Sequence, residues 1–185
     1  MNATAVSAPS LATCETTEDL EPPERFTASL VEEAGDWSWL ASPKDAVAET
    51  ASALARHPSC MAARGCEASV VLGDDELLRA LNRSYRGKDA PTNVLTFPFQ
   101  APPGAGPSSV LGDVVLAAET LGREAADQAI PIEHHFRHLV VHGFLHLLGF
   151  DHETDADAAV MERVEVEILA VLGIADPYAA DLTKP

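Results

Sequence analysis

Cysteine is scarce in this sequence and poorly placed for structural work. Cys14, Cys60 and Cys66 are an odd number with neither CxxC nor zinc-finger spacing, which argues against a disulfide framework and a thiolate metal site and for a reducing, cytoplasmic setting. Basic residues are few as well: 12 Lys and Arg stand against 29 Asp and Glu, a formal charge of −17. Such a chain is ill suited to non-specific nucleic-acid binding, which needs cations to meet phosphate. Long apolar runs are also missing. The longest, near residues 139–150, is interrupted by histidines and too short for a bilayer, and the first residues lack the basic, then apolar, pattern of a secretory signal. No internal repeat is visible. These absences predict a soluble protein with no membrane partner and no nucleotide cofactor.

What is present suffices for one core: 46% of the 185 residues are hydrophobic. Residues 1–23, rich in Ala, Ser, Thr, Pro and Glu, have too few large apolar side chains to offset the entropy of ordering and are expected to form a disordered acidic tail. Residues 24–185 are expected to form a single domain. Charge is uneven along the chain. Residues 1–50 hold ten acids against Arg25 and Lys44, whereas residues 79–89 hold Arg79, Arg83, Arg86 and Lys88 against Asp89, so a local cationic patch is compatible with the acidic total.

Pattern and punctuation predict strands over residues 25–32, 66–72, 93–99 and 110–116. Helices are predicted over 43–57, opened by Pro43; 75–85, capped by Asp74; 117–128; 131–148; and 155–172, ended by Gly173. A loop rich in Pro and Gly, expected to be mobile, separates the last two strands. The mixed order predicts an α+β fold, a small mixed sheet of about four strands flanked by helices.

The strongest signal is HGFLHLLGFDH, residues 142–152, with histidines at i, i+4 and i+10. Positions i and i+4 lie on one helix face, so His142 and His146 can offer ring nitrogens to one ion. Gly149 can end the helix with positive φ and let the chain return His152 to the same point. Three protein ligands and one open position describe a catalytic zinc site, whereas structural zinc usually has four ligands including cysteine. Nitrogen ligands also suit nickel and copper. The bland alternative, ordinary histidines on an amphipathic helix, is weakened by the third histidine and by the cost of burying three unpaired imidazoles among Leu, Phe and Val. Asp151, Glu153 and Asp155 are candidates to hydrogen-bond the outer ligand nitrogens, with Asp155 equally suited to cap the last helix. His134, His135 and His138 lie upstream on the same helix; spacing alone admits His138 as a ligand, but a solvated face is the expectation for all three.

HxxxHxxGxxH is also the metzincin spacing, but where those peptidases carry a Glu as general base this chain has Gly143. A metallopeptidase is therefore the weakest reading. The same histidine segment, together with YRGKDAPTNVLTFPF from Tyr85 and LGDVVL from Leu111, resembles the YbeY endoribonucleases, in order from about Asp74 to Tyr178. The resemblance implies a mixed sheet flanked by helices and one zinc per chain on His142, His146 and His152. It implies single-strand-specific, zinc-dependent cleavage of RNA in the 3′ maturation of small-subunit ribosomal RNA and in ribosome quality control. The implied partners are ribosomal RNA and the small ribosomal subunit or its proteins.

On the same resemblance Arg86 is the required arginine, and a guanidinium there suits the charge that builds on a phosphodiester during cleavage. Its bland alternative is a loop salt bridge with Asp89. Lys88 is a candidate for an adjacent phosphate. Asp113 matches a position linked to the cleft or to a ribosomal-protein contact, and as a strand-end carboxylate it can also hold Arg86. Thr92 and Asn93 are expected to order their loop through local hydrogen bonds. The competing reading is a non-catalytic ribosome-assembly factor with a structural zinc, favoured by the acidic charge, which suits docking on basic proteins.

Overall fold

The computed structural model describes residues 25–104 and 108–179. The acidic tail expected over residues 1–23 and part of the Pro/Gly-rich loop lie outside the described residues. Ten elements follow one another: β1 (Thr27–Glu32), α1 (Pro43–Arg56), a 3₁₀ segment (Pro58–Ala63), β2 (Glu67–Gly73), α2 (Asp75–Arg86), β3 (Val94–Pro98), β4 (Val110–Ala117), α3 (Ala118–Asp127), α4 (Ile132–Leu147) and α5 (Asp155–Val171). The fold is α+β, as expected. The 3₁₀ segment was not anticipated: six residues opened by Pro58 carry no periodicity to read.

The sheet order is β1-β2-β4-β3, with β1, β2 and β4 parallel and β3 antiparallel to β4 at the edge. Alternation along the strands divides the apolar residues between two faces. Val70, Leu72, Val114 and Leu116 join α1, α4 and α5 in the main core, where Phe26 meets Phe144 edge to face at 4.9 Å. Leu95, Val115 and Ala117 face the other way and pack on Leu78 of α2. α2 and α4 therefore cover opposite faces of the β3–β4 pair.

The local signals that set the helices are as read. Asp74 accepts a hydrogen bond from the Leu77 backbone N–H at 2.8 Å, capping α2, and Gly87, at φ +68°, closes it in the left-handed region. α5 differs in its cap: Thr154 accepts from the Asp157 N–H, and Asp155 is the first helical residue rather than the cap.

Two glycines let elements approach closely. A Cβ on Gly143 of α4 would lie 2.5 Å from Val114 Cγ1 on β4, so the helix sits on the strand only because this position is bare. Gly112, at φ +134°, lies where the β2–β4 register shifts, and a Cβ there would stand 2.1 Å from the Phe97 carbonyl oxygen and 3.0 Å from Leu147 Cδ2.

Candidate metal centre

α4 carries His142 and His146 one turn apart, and their Nε2 atoms approach to 3.0 Å. The helix then stops as its sequence requires: Gly149 takes φ +89°, its N–H donates to the His146 carbonyl, and the Phe150 N–H reaches back to the Leu145 carbonyl. This reversal brings His152 alongside, its ring 5.5 Å from that of His142 and 5.0 Å from that of His146. One nitrogen from each of the three lies within 4.8 Å of the others. The convergence expected from the spacing is therefore present, and among the described residues no fourth side chain joins the group.

The outer nitrogens are fixed by groups that sequence reading did not choose. His142 Nδ1 meets Glu165 Oε1 at 2.7 Å, and His146 Nδ1 donates to the Phe150 carbonyl at 3.0 Å. With those Nδ1 atoms engaged, the Nε2 lone pairs point at the common centre, the tautomer a divalent ion requires. Burial, with His142 and His152 close by, also pushes His146 below the usual histidine range, so it stands ready as a neutral donor. Asp151 and Glu153 do not act as expected. Asp151 instead accepts from the backbone N–H groups of His152 and Glu153, shaping the turn that presents His152.

Glu165 is 1% exposed and holds a network. Its second oxygen accepts from the Tyr178 hydroxyl and lies 3.5 Å from His138 Nε2. Burial works against its ionisation, but the hydrogen bonds and charge of His138 and His142 outweigh that and bring its pKa down to about 2. A signal for it existed: Met161, Val164, Ile168 and Leu169 mark the buried stripe of α5, and Glu165 stands in that stripe. A carboxylate at a core position needs a partner.

The upstream histidines are not a solvated face either. His135 is buried, with Nε2 at 2.8 Å from Glu124 Oε2, and His138 is half-buried between Glu165 and Tyr178. They are enclosed because Glu124 of α3, Glu165 of α5 and the residues after α5 close over this part of α4. Between these groups and the start of β3 is a cavity of about 830 Å³ that reaches His142.

Arg86, Lys88 and Asp113 are exposed, and no hydrogen bond or ion pair joins them to the histidines among the described residues. Asp89 does not hold Arg86. It binds Arg79 through both oxygens, at 2.7 and 3.1 Å, and neither Asp89 nor Asp113 restrains the Arg86 guanidinium. The neighbouring Tyr85 ring, itself exposed, lies 5.0 Å from Phe97 near the end of β3. Leu147, next to His146, reaches Gly112, the register partner of Pro98. The cationic end of α2 and the histidine end of α4 thus flank the same end of the β3–β4 pair from opposite faces. Asn93 behaves as expected, its Oδ1 accepting from the Val94 N–H at 2.7 Å, and its amide also donates to Glu124 at 2.9 Å.

Position 143 has no room for the general base that metzincin peptidases carry there. Gly143 is buried against Val114, so a general base there is sterically excluded.

Comparison with known proteins agrees with this reading. The family model described as "Endoribonuclease YbeY" matches residues 40–173. Curated proteins named "Endoribonuclease YbeY" include one from Sinorhizobium medicae, 49% identical over 152 residues, 79% of this chain and 90% of that protein. One from Parvibaculum lavamentivorans is 49% identical over 163 residues, 82% of this chain and 84% of that protein. One from Rhodopseudomonas palustris is 54% identical over 120 residues, 61% of this chain and 62% of that protein. The solution structure of TM1509 from Thermotoga maritima covers 82% of this chain and 98% of its own at 20% identity, with a TM-score of 0.46. No helix among the described residues is long and apolar enough to cross a membrane. The family match over residues 40–173 spans the histidine helix, the Glu165 helix and the basic end of α2 together, and the chain belongs to the YbeY endoribonuclease family.

Proposed function

We propose that this chain is a zinc-dependent endoribonuclease that cuts single-stranded ribosomal RNA in the 3′ maturation of the small-subunit RNA and in ribosome quality control. We further propose that it works in the cytoplasm on or near the small subunit, as one domain over residues 24–185. The observation that carries the reading is the histidine triad, with the outer nitrogens of His142 and His146 already engaged by Glu165 and the Phe150 carbonyl. Convergent imidazoles, two of them held from behind, fit a divalent ion with an open position, and zinc suits three imidazoles of this kind. A bound zinc supplies a Lewis acid beside the scissile phosphate.

The chain's own residues do the rest. Arg86, exposed at the end of α2 and without an ion pair among the described residues, is placed to grip the phosphate that gains charge during cleavage, and Lys88 an adjacent one. Asp113, across the strand pair from Phe97, stands on the same face as α2 and offers an exposed carboxylate to a basic partner protein. Exposed Tyr85 offers a face on which an unpaired base can stack. A strand crossing the end of β3 meets cations on one face and the triad on the other. The net charge of −17 favours the second reading, an assembly factor that docks on basic ribosomal proteins.

The deciding experiment measures bound metal and the cleavage of single-stranded ribosomal RNA by wild type, His146→Ala and Arg86→Glu, with and without chelator. Near one zinc in wild type and Arg86→Glu, with cleavage by wild type alone, supports the nuclease. Zinc with identical behaviour of all three proteins supports the assembly factor.

A further inference from the structure

The cavity beside the triad has no part in the chemistry above, yet it shares His142 with it. Its walls are part apolar, from Val94, Ile130, Leu139, Ile174 and Pro177, and part polar, from Asn93, Glu124, Gln128, Tyr178 and the histidines of α4. Among the described residues that line it there is no Lys or Arg, while Glu124 and Asp176 contribute carboxylates. A phosphate is repelled by such a lining; a flat, neutral, partly apolar group is not. The volume of about 830 Å³ is within the range of small-ligand sites.

Glu124 gives the cavity its selectivity. One oxygen, Oε2, accepts from both Asn93 Nδ2, at 2.9 Å, and His135 Nε2, at 2.8 Å. The other, Oε1, accepts from no protein group among the described residues, and the side chain is 33% exposed. A carboxylate held rigidly through one oxygen with the second open is an acceptor awaiting a donor.

We propose that this cavity is a nucleobase pocket. It takes the base of the nucleotide adjoining the scissile bond, and it prefers bases with an amino group, adenine, cytosine or guanine, whose N–H groups donate to Glu124 Oε1. Uracil sets carbonyl oxygens on either side of its single N–H and brings them against the carboxylate. Because His142 belongs to both sites, a base in the pocket leaves its phosphate at the triad. The inference rests on the nuclease reading for its substrate, but it is tested separately.

Binding of AMP, CMP, GMP and UMP to the zinc-loaded full chain is measured by calorimetry, with inorganic phosphate as the control for the metal alone. The three amino-bearing nucleotides are expected to bind about ten-fold or more tightly than UMP, a tenfold ratio being about 1.4 kcal/mol. Glu124→Gln, whose amide can also donate to a carbonyl, is expected to erase that ratio. Ala175→Trp fills the cavity from its exposed rim without touching Glu124 and is expected to weaken all four nucleotides toward the phosphate value. Both variants should retain wild-type metal content. Equal binding of the four nucleotides, binding no better than phosphate, or ratios and affinities unmoved by both variants overturns the pocket. Discrimination without RNA cleavage sinks the nuclease reading and leaves the pocket standing; cleavage without discrimination does the reverse.

Discussion

A carboxylate 1% exposed to solvent ordinarily ionises with difficulty, yet the hydrogen bonds and charge of His138 and His142 outweigh burial and bring the Glu165 pKa down to about 2. Replacing it by Gln keeps the shape but removes the charge that orients His142. Metal affinity is expected to fall roughly ten- to a hundred-fold, read by competition with a chromogenic chelator. Unchanged affinity would show that His142 needs no such support. At Gly143 the expected effect is on packing: Gly143→Ala pushes a methyl into Val114 and should cost about 1–3 kcal/mol in denaturant unfolding. His142, His146 and His152 were legible in the sequence because helical spacing and one glycine define their geometry. Glu165 was not, because its role depends on α5 crossing α4, a contact between residues 23 apart that no local pattern encodes. Arg86 is the intermediate case: its phosphate-binding role is a proposal, and that Asp89 does not hold it is something only the Arg79 pairing reveals.

At the scale of elements, the strands and helices were read nearly to their ends, since caps such as Asp74 and stops such as Gly87 and Gly149 are written in residue type. The arrangement of α2 and α4 on opposite faces was not, because sheet order depends on pairing between distant strands. That arrangement makes the end of β3 the point where both sites meet, and Gly112 is its hinge pin. Gly112→Ala places a side chain on the Phe97 carbonyl at an unfavourable φ, and a loss of a few kcal/mol in stability is expected. Tyr85→Ala removes an exposed ring that packs on Phe97. Single-stranded RNA binding should weaken by about 1–3 kcal/mol, measured by fluorescence anisotropy, if a base stacks there. Unchanged binding would place the strand elsewhere.

For the whole molecule, acidity sets the conditions. If, as proposed, this chain of −17 holds RNA through a few cations such as Arg86 and Lys88, binding should show a shallow salt dependence, each single-strand phosphate contact adding roughly 0.7 to the slope of log K against log salt. Stability should also depend on mild acid. Burial keeps His135 below its ordinary value of 6.5, against the pull of Glu124. The unfolded chain therefore binds the proton first, so stability is full above about 6.5 and declines as pH falls through that value. His135→Asn should flatten this decline in unfolding experiments on chelated protein; an unchanged slope would assign it to other groups.

The support behind the triad has a bearing on when the protein becomes competent. The three ligands lie between residues 142 and 152, but the carboxylate that orients His142 is residue 165, and the hydroxyl bound to that carboxylate is residue 178. During synthesis the imidazoles are made before the groups that aim them. A chain interrupted between 152 and 165 carries all three imidazoles and the Phe150 carbonyl behind His146 but lacks the carboxylate behind His142. On the metal reading proposed above, such a product should hold an ion more loosely than a chain that includes Glu165.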